Sequence, residues 1–255
     1  GEASRPYWRS GGGVTGKADD SRGTGADLAA RKVLVEGLPA LGPSSHVLSE
    51  EDANIPQAER GGWECWWLGE PLDGTKEFIA GSEEFTVNVA LIERGQVVFG
   101  VVSMPTNGRC WFGGAGLGAW RSEVDGPCEA IAVRDAAGPG QPFTVVASRR
   151  HTSPQQEQLL NGLAEGLGEL ELANVGSSLK FCLLAEGSAD CYPRLAPTSQ
   201  WDTAAAQGVV EGAGGEVLGV DGLPFRYPAR ESLLNPHFVA LPAKAVWRED
   251  FLRLI

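Results

Sequence analysis

WWLGEPLDGTKEF, residues 66–78, is the stretch of sequence that decides the fold. Pro71 fixes its own φ and pushes Glu70 towards extended backbone, so a strand is predicted to end here with the carboxylates of Glu70 and Asp73 facing a common point. Gly74 permits a tight turn, and a helix starting near Thr75 would direct its free backbone N–H groups to the same point. The stretch therefore predicts a strand, a turn and a helix that meet beside two carboxylates.

Two further acidic clusters lie outside this stretch. Ser49-Glu50-Glu51 precedes it, and Trp201-Asp202-Thr203 follows it far along the chain. Hard divalent cations such as magnesium take oxygen ligands from carboxylates and carbonyls, and complete their shell with water and substrate phosphate. If the clusters converge, they predict a magnesium-dependent phosphatase.

Each acidic residue also has a purely structural interpretation. The run at 50–52 suits a solvated acidic turn, Asp202 suits a helix cap, and Asp27 suits the N-terminal dipole of a helix. Taken singly, the turn and the cap are the better interpretations. The co-occurrence of the clusters favours metal binding for Glu51 and Asp202, and it leaves both interpretations open for Asp27.

Two separated motifs carry a family resemblance. WWLGEPLDGTKEF is similar to the DPLDGT(K)EF motif of the inositol monophosphatase superfamily, and WDTAAAQGVVEGAGGEV, residues 201–217, is similar to its second motif, WDxAAG followed by a helix and a Gly-Gly turn. Lys76-Glu77-Phe78 resembles the 3'(2'),5'-bisphosphate nucleotidase branch of that superfamily. The similarity runs from about residue 17 to about residue 241.

The resemblance implies the fold class, which is α/β (α+β): a layered αβαβα sandwich of the inositol monophosphatase or sugar phosphatase type. It places the metal site at the junction of an N-terminal α+β subdomain, residues 1–140, and a C-terminal α/β subdomain, residues 141–255. The Gly-, Pro- and Ala-rich segment at 136–142 is the predicted boundary between them.

The resemblance also implies a ligand set for two or three Mg²⁺ ions. The implied ligands are Glu51, Glu70, the carbonyl of Leu72, Asp73 and Asp202. Thr75, with Asp27 accepting from its hydroxyl, is expected to orient the attacking water, and Glu51 is expected to share in this catalytic group. Such a site needs no covalent nucleophile, because phosphoryl transfer is catalysed mainly by positioning and charge neutralisation.

A set of polar and small residues resembles the nucleotide side of the pocket in bisphosphate nucleotidases. A guanidinium fork suits a second phosphate, although the two arginines of the set also suit structural ion pairs and its lysine suits an exposed helix position. The implied substrate-binding residues are Asp73, Gly74, Thr75, Ser148, Arg149, His151, Gly176, Ser177, Lys180, Arg194 and Asp202.

The implied activity is magnesium-dependent hydrolysis of the 3'-phosphate of adenosine 3',5'-bisphosphate to AMP and phosphate, with inhibition by lithium. The alternative within the superfamily is an inositol 1-phosphate or sugar-phosphate phosphatase. Glu70 stands where the family normally has Asp, and a misplacement of about 1 Å costs roughly a hundredfold in rate. This difference motivates a third alternative, a catalytically weak nucleotide-binding protein.

Composition limits the class of protein. The chain has 255 residues and a net charge of −12, which argues against a nonspecific nucleic-acid binder. The expected partner, a small phosphorylated nucleotide, is implied by the family resemblance. No apolar run of about 18 residues is present to span a bilayer. Five scattered cysteines without CxxC spacing favour a reduced setting, so a cytoplasmic location is expected.

Periodicity predicts alternating helices and strands. The helix expected at 27–41 has an apolar face with Leu28, Lys32 and Val35 on one side and Leu34, Leu38 and Leu41 nearby. The other predicted helices are 155–167, 177–186 and 202–213, and the predicted strands are 85–92 and 97–102.

Overall fold

The computed structural model describes residues 2–9, 15–16, 22–44, 46–124, 126–135, 142–147 and 154–254. Its strands are β1 Thr15–Gly16, β2 Arg22–Gly23, β3 Val47–Ser49, β4 Cys65–Asp73, β5 Thr86–Glu93, β6 Gln96–Ser103, β7 Cys110–Gly114, β8 Gly118–Ser122, β9 Cys128–Ala130, β10 Phe143–Ala147, β11 Leu170–Asn174, β12 Tyr192–Arg194, β13 Gly215–Gly219 and β14 Phe238–Pro242. Its α-helices are α1 Gly25–Gly37, α2 Gln57–Arg60, α3 Thr75–Ile79, α4 Pro154–Leu167, α5 Leu179–Ala185, α6 Gln200–Gly212 and α7 Arg248–Leu252. Short 3₁₀ turns occupy Arg5–Tyr7, Leu38–Leu41 and Glu50–Asp52.

A seven-stranded mixed sheet, ordered β3-β4-β5-β6-β7-β8-β9, forms the centre of the molecule. Strand β3 runs parallel to β4, and the remaining neighbours are antiparallel. Side chains alternate between the two faces of a strand. On β4, Trp66 and Leu68 join the core that contains α6, whereas Gly69 faces Leu34 of α1. Helices α1 and α6 therefore cover opposite faces of this sheet.

A second sheet lies on the far side of α5 and α6. Strands β10 and β11 pair in parallel, β12-β14-β13 pair antiparallel, and a parallel bridge between Val145 and Cys191 connects the two groups. Val146 and Ala240 face the core shared with α5 and α6. Val145 and Val239 face a second core that contains residues of α4 and α7. The layers thus run helix, sheet, helix, sheet, helix, which confirms the predicted αβαβα sandwich.

The first helix differs from the prediction for 27–41. It begins at Gly25 after a capping box formed by Thr24 and Asp27, and it ends at Gly37, where a 3₁₀ turn containing Pro39 follows. The predicted apolar face is wrong at Leu28 and Leu41, which are 61% and 75% exposed, whereas Leu34 lies against Gly69 and Leu38 is buried as predicted. The helix instead buries the small residues Ala26 and Ala30, which allow close packing on the sheet.

The other predicted elements match the structure closely. The strands predicted at 85–92 and 97–102 are β5 and β6, and the helices predicted at 155–167, 177–186 and 202–213 are α4, α5 and α6. The split into residues 1–140 and 141–255 stays a prediction, and most of its expected boundary lies outside the described residues. None of the described helices is long and apolar enough to cross a membrane.

Candidate metal and phosphate site

Glu70 is buried beneath the N-terminus of α6. It shares the face of β4 that carries Trp66 and Leu68, so its side chain points towards α6, and it is only 2% exposed. Its Oε1 accepts a hydrogen bond from the Leu72 backbone N–H at 3.0 Å, and its Oε2 is buried without a hydrogen-bond partner among the described residues. Burial, followed by the negative charges of Glu50 and Asp202, holds the pKa of Glu70 well above its ordinary value.

Asp73 lies at the end of β4, after a shift in register with β5 between Glu70 and Asp73. Its Oδ2 accepts hydrogen bonds from the Ser178 hydroxyl at 2.7 Å and from the Asn88 side-chain N–H at 3.3 Å. Asn88 also donates to Ser178 at 2.9 Å. The sequence analysis did not identify Asn88 or Ser178, because their positioning of Asp73 depends on a contact between separate parts of the chain.

Asp202 is the third residue of α6. Ser199 is the residue that caps the helix, and its backbone N–H donates to Oδ2 of Asp202 at 2.7 Å in a capping box. Burial, and then the nearby charge of Asp73, raises the pKa of Asp202 to about 7. The structural and metal-binding interpretations of Asp202 are thus compatible, since only one carboxylate oxygen is used in the cap.

A second acidic group adjoins these carboxylates. Asp27, Glu50 and Glu51 each offer an oxygen within 4.8 Å of the others. Oδ2 of Asp27 accepts from both the backbone N–H and the hydroxyl of Thr24 at 2.6 Å. The charge of Glu50 contributes to the raised pKa values of Glu70 and Asp202. The charge of Glu51 instead adds to the rise in the pKa of Arg31 of α1, which its hydrogen bond with Asp52 mainly causes. The structure therefore adds Glu50, which belongs to the predicted acidic cluster but not to the implied ligand set, to the candidate ligands.

The turn after β4 has the predicted form. Gly74 adopts left-handed backbone with φ of 90°, and α3 begins at Thr75. A Cβ on Gly74 would lie 3.1 Å from the Glu84 carbonyl oxygen, so a side chain is disfavoured by both conformation and space. The Thr75 hydroxyl donates to the Leu72 carbonyl at 3.4 Å, and the hydrogen bond from Thr75 to Asp27 stays a prediction.

A cleft of about 150 Å³ opens beside Asp73 and Asp202. Its lining combines carboxylates with cationic side chains and the backbone around residues 175–178. Members of the lining that the sequence analysis predicted are Asp73, Gly74, Gly176, Ser177, Lys180, Arg194 and Asp202.

Lys76, Lys180 and Arg194 are the cationic residues that line this cleft. The ammonium of Lys180 donates to the Ser177 carbonyl at 2.8 Å, and burial lowers its pKa. The Arg194 guanidinium donates through Nη2 to the Pro197 carbonyl at 3.2 Å, while its Nε is buried without a partner in the described part of the chain. Lys180 is 8% exposed, so the interpretation as an exposed helix residue is wrong.

The loop at 176–177 is tightly constrained. The Gly176 backbone N–H donates to Oε2 of Glu84 at 2.9 Å, and a Cβ at this position would lie 2.7 Å from the Glu84 carbonyl oxygen. Ser177 adopts left-handed backbone with φ of 45°. These features hold Ser177 at the edge of the cleft. The predicted residues Ser148, Arg149 and His151 lie outside the described residues.

The residues present fit a divalent cation. Burial and neighbouring carboxylates raise the pKa values of Glu70 and Asp202, and an oxygen of Glu70 has no donor among the residues described. Oxygen-only ligands of this kind suit hard cations, and a bound cation reverses the local effect of clustered negative charge.

Comparisons with known proteins cover this whole site. The profile of the inositol monophosphatase family matches residues 6–250. A Salmonella typhimurium (strain LT2) protein named 3'(2'),5'-bisphosphate nucleotidase CysQ is 47% identical over 222 residues, which are 87% of this chain and 86% of that protein. The protein of the same name from Escherichia coli K12 is 46% identical over 226 residues, covering 88% and 87% of the two chains. The crystal structure of CysQ from Bacteroides thetaiotaomicron has a TM-score of 0.78 at 39% identity, covering 89% of this chain and 87% of that chain.

Proposed function

The chain belongs to the inositol monophosphatase family, in its 3'(2'),5'-bisphosphate nucleotidase branch, and from this premise we propose that it removes the 3'-phosphate of adenosine 3',5'-bisphosphate to give AMP and phosphate. One observation carries the proposal. A single cleft places carboxylates suited to a divalent cation next to Lys180 and Arg194, which suit a second anionic group. A bisphosphate substrate matches this division, because one phosphate requires the cation and the other is neutralised by the protein's own positive charges.

We assign the metal-holding role to two groups of oxygens. The first group is Glu70, Asp73 and Asp202, whose carboxylates would hold one cation. The second group is the adjacent pair Glu50 and Glu51, and the Leu72 carbonyl is a further predicted ligand. Magnesium, in the predicted number of two or three ions, would supply charge neutralisation and a water of lowered pKa. The hydrogen bonds from Ser178 and Asn88 to Asp73 fix one carboxylate before any ligand arrives.

Thr75 is the residue we assign to water orientation, together with Asp27 and Glu51. Its hydroxyl lies at the start of α3, directly after the left-handed turn at Gly74. Asp27 is held in place by two short hydrogen bonds from Thr24. Such fixed polar groups lower the barrier mainly by positioning the reacting atoms, which suits phosphoryl transfer.

The substrate-binding assignments follow the lining of the cleft. Gly74 and Thr75 would face the departing phosphate, and Gly176 and Ser177 would border the nucleotide. Lys180 and Arg194 would bind the second phosphate. Ser148, Arg149 and His151 remain predicted members of this nucleotide side.

The test is phosphate release from adenosine 3',5'-bisphosphate and inositol 1-phosphate, measured side by side with magnesium and then with EDTA. The proposal expects magnesium-dependent turnover of the nucleotide at a kcat/KM at least tenfold above that of the inositol phosphate. The reverse preference would assign the enzyme to inositol phosphates, and a substrate panel that includes fructose 1,6-bisphosphate would cover sugar phosphates.

Absence of phosphate release from both substrates would favour the alternative of a catalytically weak nucleotide-binding protein. In that case Glu70→Asp is the decisive variant, because it moves the carboxylate by roughly one C–C bond length. Tight nucleotide binding without turnover in the wild type, together with turnover in Glu70→Asp, would establish that alternative.

A further inference from the structure

A second cleft lies at the other end of β4 from Glu70. It has a volume of about 440 Å³, within the range of about 300–1,000 Å³ typical of small-molecule sites. We call it the tryptophan cleft. Its lining residues are Gly61, Trp63, Trp66, Arg94, Gly95, Gln96, Arg226, Pro228 and Ala229. Among the described residues it shares no lining residue with the cleft beside Asp73 and Asp202, which we call the acidic cleft.

Two arginines, Arg94 and Arg226, line this cleft. Arg94 lies in the turn between β5 and β6, and Arg226 lies in the segment before β14. The Tyr227 backbone N–H donates to the Gly95 carbonyl at 2.9 Å, which holds the two segments side by side. No carboxylate of the described residues lies within ion-pair distance of either arginine. The positive charge of Arg226 nevertheless reaches Glu211, where it opposes the rise in pKa that burial causes. The lining of this cleft thus includes two arginines and no acidic residue, in a chain whose net charge is −12.

The backbone at Arg94 is unusual for an arginine. Arg94 has φ of 49° and Gly95 has φ of 76°. Positive φ at both central residues of a two-residue hairpin turn favours Asn-Gly or Gly-Gly. The turn itself gains nothing from arginine, and a non-glycine residue held in left-handed backbone is a reason to look for a function of its side chain.

Two tryptophans line the tryptophan cleft, and a third arginine lies in its inner extension. Trp63 stacks on His46 with ring centroids 4.7 Å apart, which fixes its orientation. Trp66 is held in β4 with 6% of its surface exposed. Arg60, which lines an inner extension of the cleft, donates only to the backbone carbonyls of Ile55 at 3.0 Å and Arg230 at 2.9 Å. A rigid aromatic surface thus adjoins positive charge.

We propose that the tryptophan cleft binds a planar aromatic anion of the size of a nucleoside monophosphate. The base would lie against the partly buried Trp63, where stacking on an aromatic side chain contributes affinity. The phosphate would contact Arg94 and Arg226, whose planar guanidiniums match its geometry. This binding requires no turnover, so it stands or falls independently of the function proposed above.

The tryptophan cleft adjoins two segments of chain that lead towards the candidate metal ligands. Its inner extension is lined by Leu48 and Gln200. Leu48 lies two residues before Glu50, and Gln200 lies two residues before Asp202. The tryptophan cleft therefore adjoins the segments that lead into these two carboxylates, through the lining residues Trp63, Trp66, Pro228 and Ala229 that it shares with its inner extension.

Photolabelling with 8-azido-AMP in EDTA, followed by peptide mapping, tests the proposal. We expect label on residues 61–66 or 226–229, in addition to any label on the acidic cleft at 175–203. The double variant Arg94→Gln/Arg226→Gln should lose at least about fivefold of the label in the tryptophan cleft, since two charged contacts to the phosphate are removed. Label on the acidic cleft and phosphate release should stay unchanged, which also shows that the variant is folded.

Arg109→Gln is the matched control. Arg109 is likewise a surface arginine beside a tryptophan, with its guanidinium carbon 5.7 Å from the centroid of the Trp111 ring. This variant should label like the wild type. Unlabelled AMP should compete for the tryptophan cleft, whereas adenosine and inorganic phosphate at the same concentration should not. Label confined to 175–203, undiminished label in the double variant, or equal competition by adenosine would overturn the proposal.

Discussion

At the level of single residues, Glu70 and Asp202 are the carboxyl groups whose charge the protein alone does not stabilise. Glu70 is buried and Asp202 is largely shielded from solvent, and at both positions burial and neighbouring carboxylates outweigh the favourable interactions, which for Asp202 include Arg194. Burying a charge without compensation is costly, so a raised pKa at both positions reflects a site that is incomplete without a cation. Stability and activity should therefore respond in opposite directions when these charges are removed.

Glu70→Gln should stabilise the metal-free protein and inactivate the enzyme. The amide keeps the side-chain size but removes the repulsion from Glu50 and Asp202. In EDTA at pH 8 we expect Tm to rise by about 2–4 °C, as for roughly 1 kcal/mol in a protein of this size. Phosphate release with magnesium should fall at least about a hundredfold. Glu93→Gln, at the exposed end of β5, is the control and should change neither quantity; a lower Tm in Glu70→Gln would contradict the argument.

Asp202 predicts the pH dependence of stability in EDTA. Its pKa rises from an ordinary value of 3.8 to about 7 in the folded protein. Because the folded state then binds the proton more tightly than the unfolded state, the native protein loses stability as pH rises from about 4 to about 7. Asp202→Asn should weaken this loss, which thermal unfolding from pH 4.5 to 8 would measure. If the Tm of the wild type and that of Asp202→Asn depend on pH in the same way, Asp202 is not the responsible group.

At the level of elements, α6 connects the central sheet to the site. The helix crosses β6 so closely that a Cβ on Gly100 would lie 1.9 Å from the Ala205 carbonyl oxygen. On the facing helix, a Cβ on Gly208 would lie 2.8 Å from the Gly100 backbone nitrogen. Glycine at both positions allows this approach, and the approach fixes where Asp202 lies relative to β4.

Gly100→Ala should therefore impair both stability and activity. Overpacking of a core typically costs about 1–3 kcal/mol, and displacement of α6 would move Asp202 away from Glu70. We expect a lower Tm and a kcat reduced at least about tenfold, from misplacement on a scale below 1 Å. Gly166→Ala is the control, because nothing lies within 4 Å of its added Cβ in α4. That variant should be unchanged, or more stable by about 0.4–1 kcal/mol.

The elements show where sequence patterns succeed. Strands β5 and β6 were predicted within one residue, because their apolar runs are bounded by clear turns. The buried face of α1 was predicted wrongly, because hydrophobic periodicity identifies large side chains while this helix packs through Ala26 and Ala30. Packing of small residues depends on how closely two elements approach, which a local pattern does not record.

For the molecule as a whole, the sequence analysis predicted the layered fold and the convergence of distant acidic segments. It missed Glu50, since neighbouring carboxylates in one 3₁₀ turn are distinguished only by the direction in which each points. It also missed Asn88 and Ser178, which meet Asp73 across 15 and 105 positions of sequence. Contacts of this kind arise from the assembled layers.

Magnesium should stabilise the whole molecule. A ligand that binds only the native state at about 100 times its Kd adds roughly 2.7 kcal/mol per site. At about 2–4 °C per kcal/mol this corresponds to a Tm increase of roughly 5–10 °C. Differential scanning calorimetry with magnesium chloride, compared with sodium chloride at equal ionic strength, measures the effect. An equal rise with sodium would show that screening of the −12 net charge is the cause.

The carboxylates of the site come from positions between 27 and 202, and Asp202 is the last of them to be synthesised. A nascent chain on the ribosome thus carries most of the acidic ligands well before α6 has emerged to complete the set. If these carboxylates hold the cation, its binding would be completed only after the C-terminal layers have folded onto the central sheet. A prematurely terminated fragment would hold the motif at 66–78 and yet leave cellular nucleotides untouched.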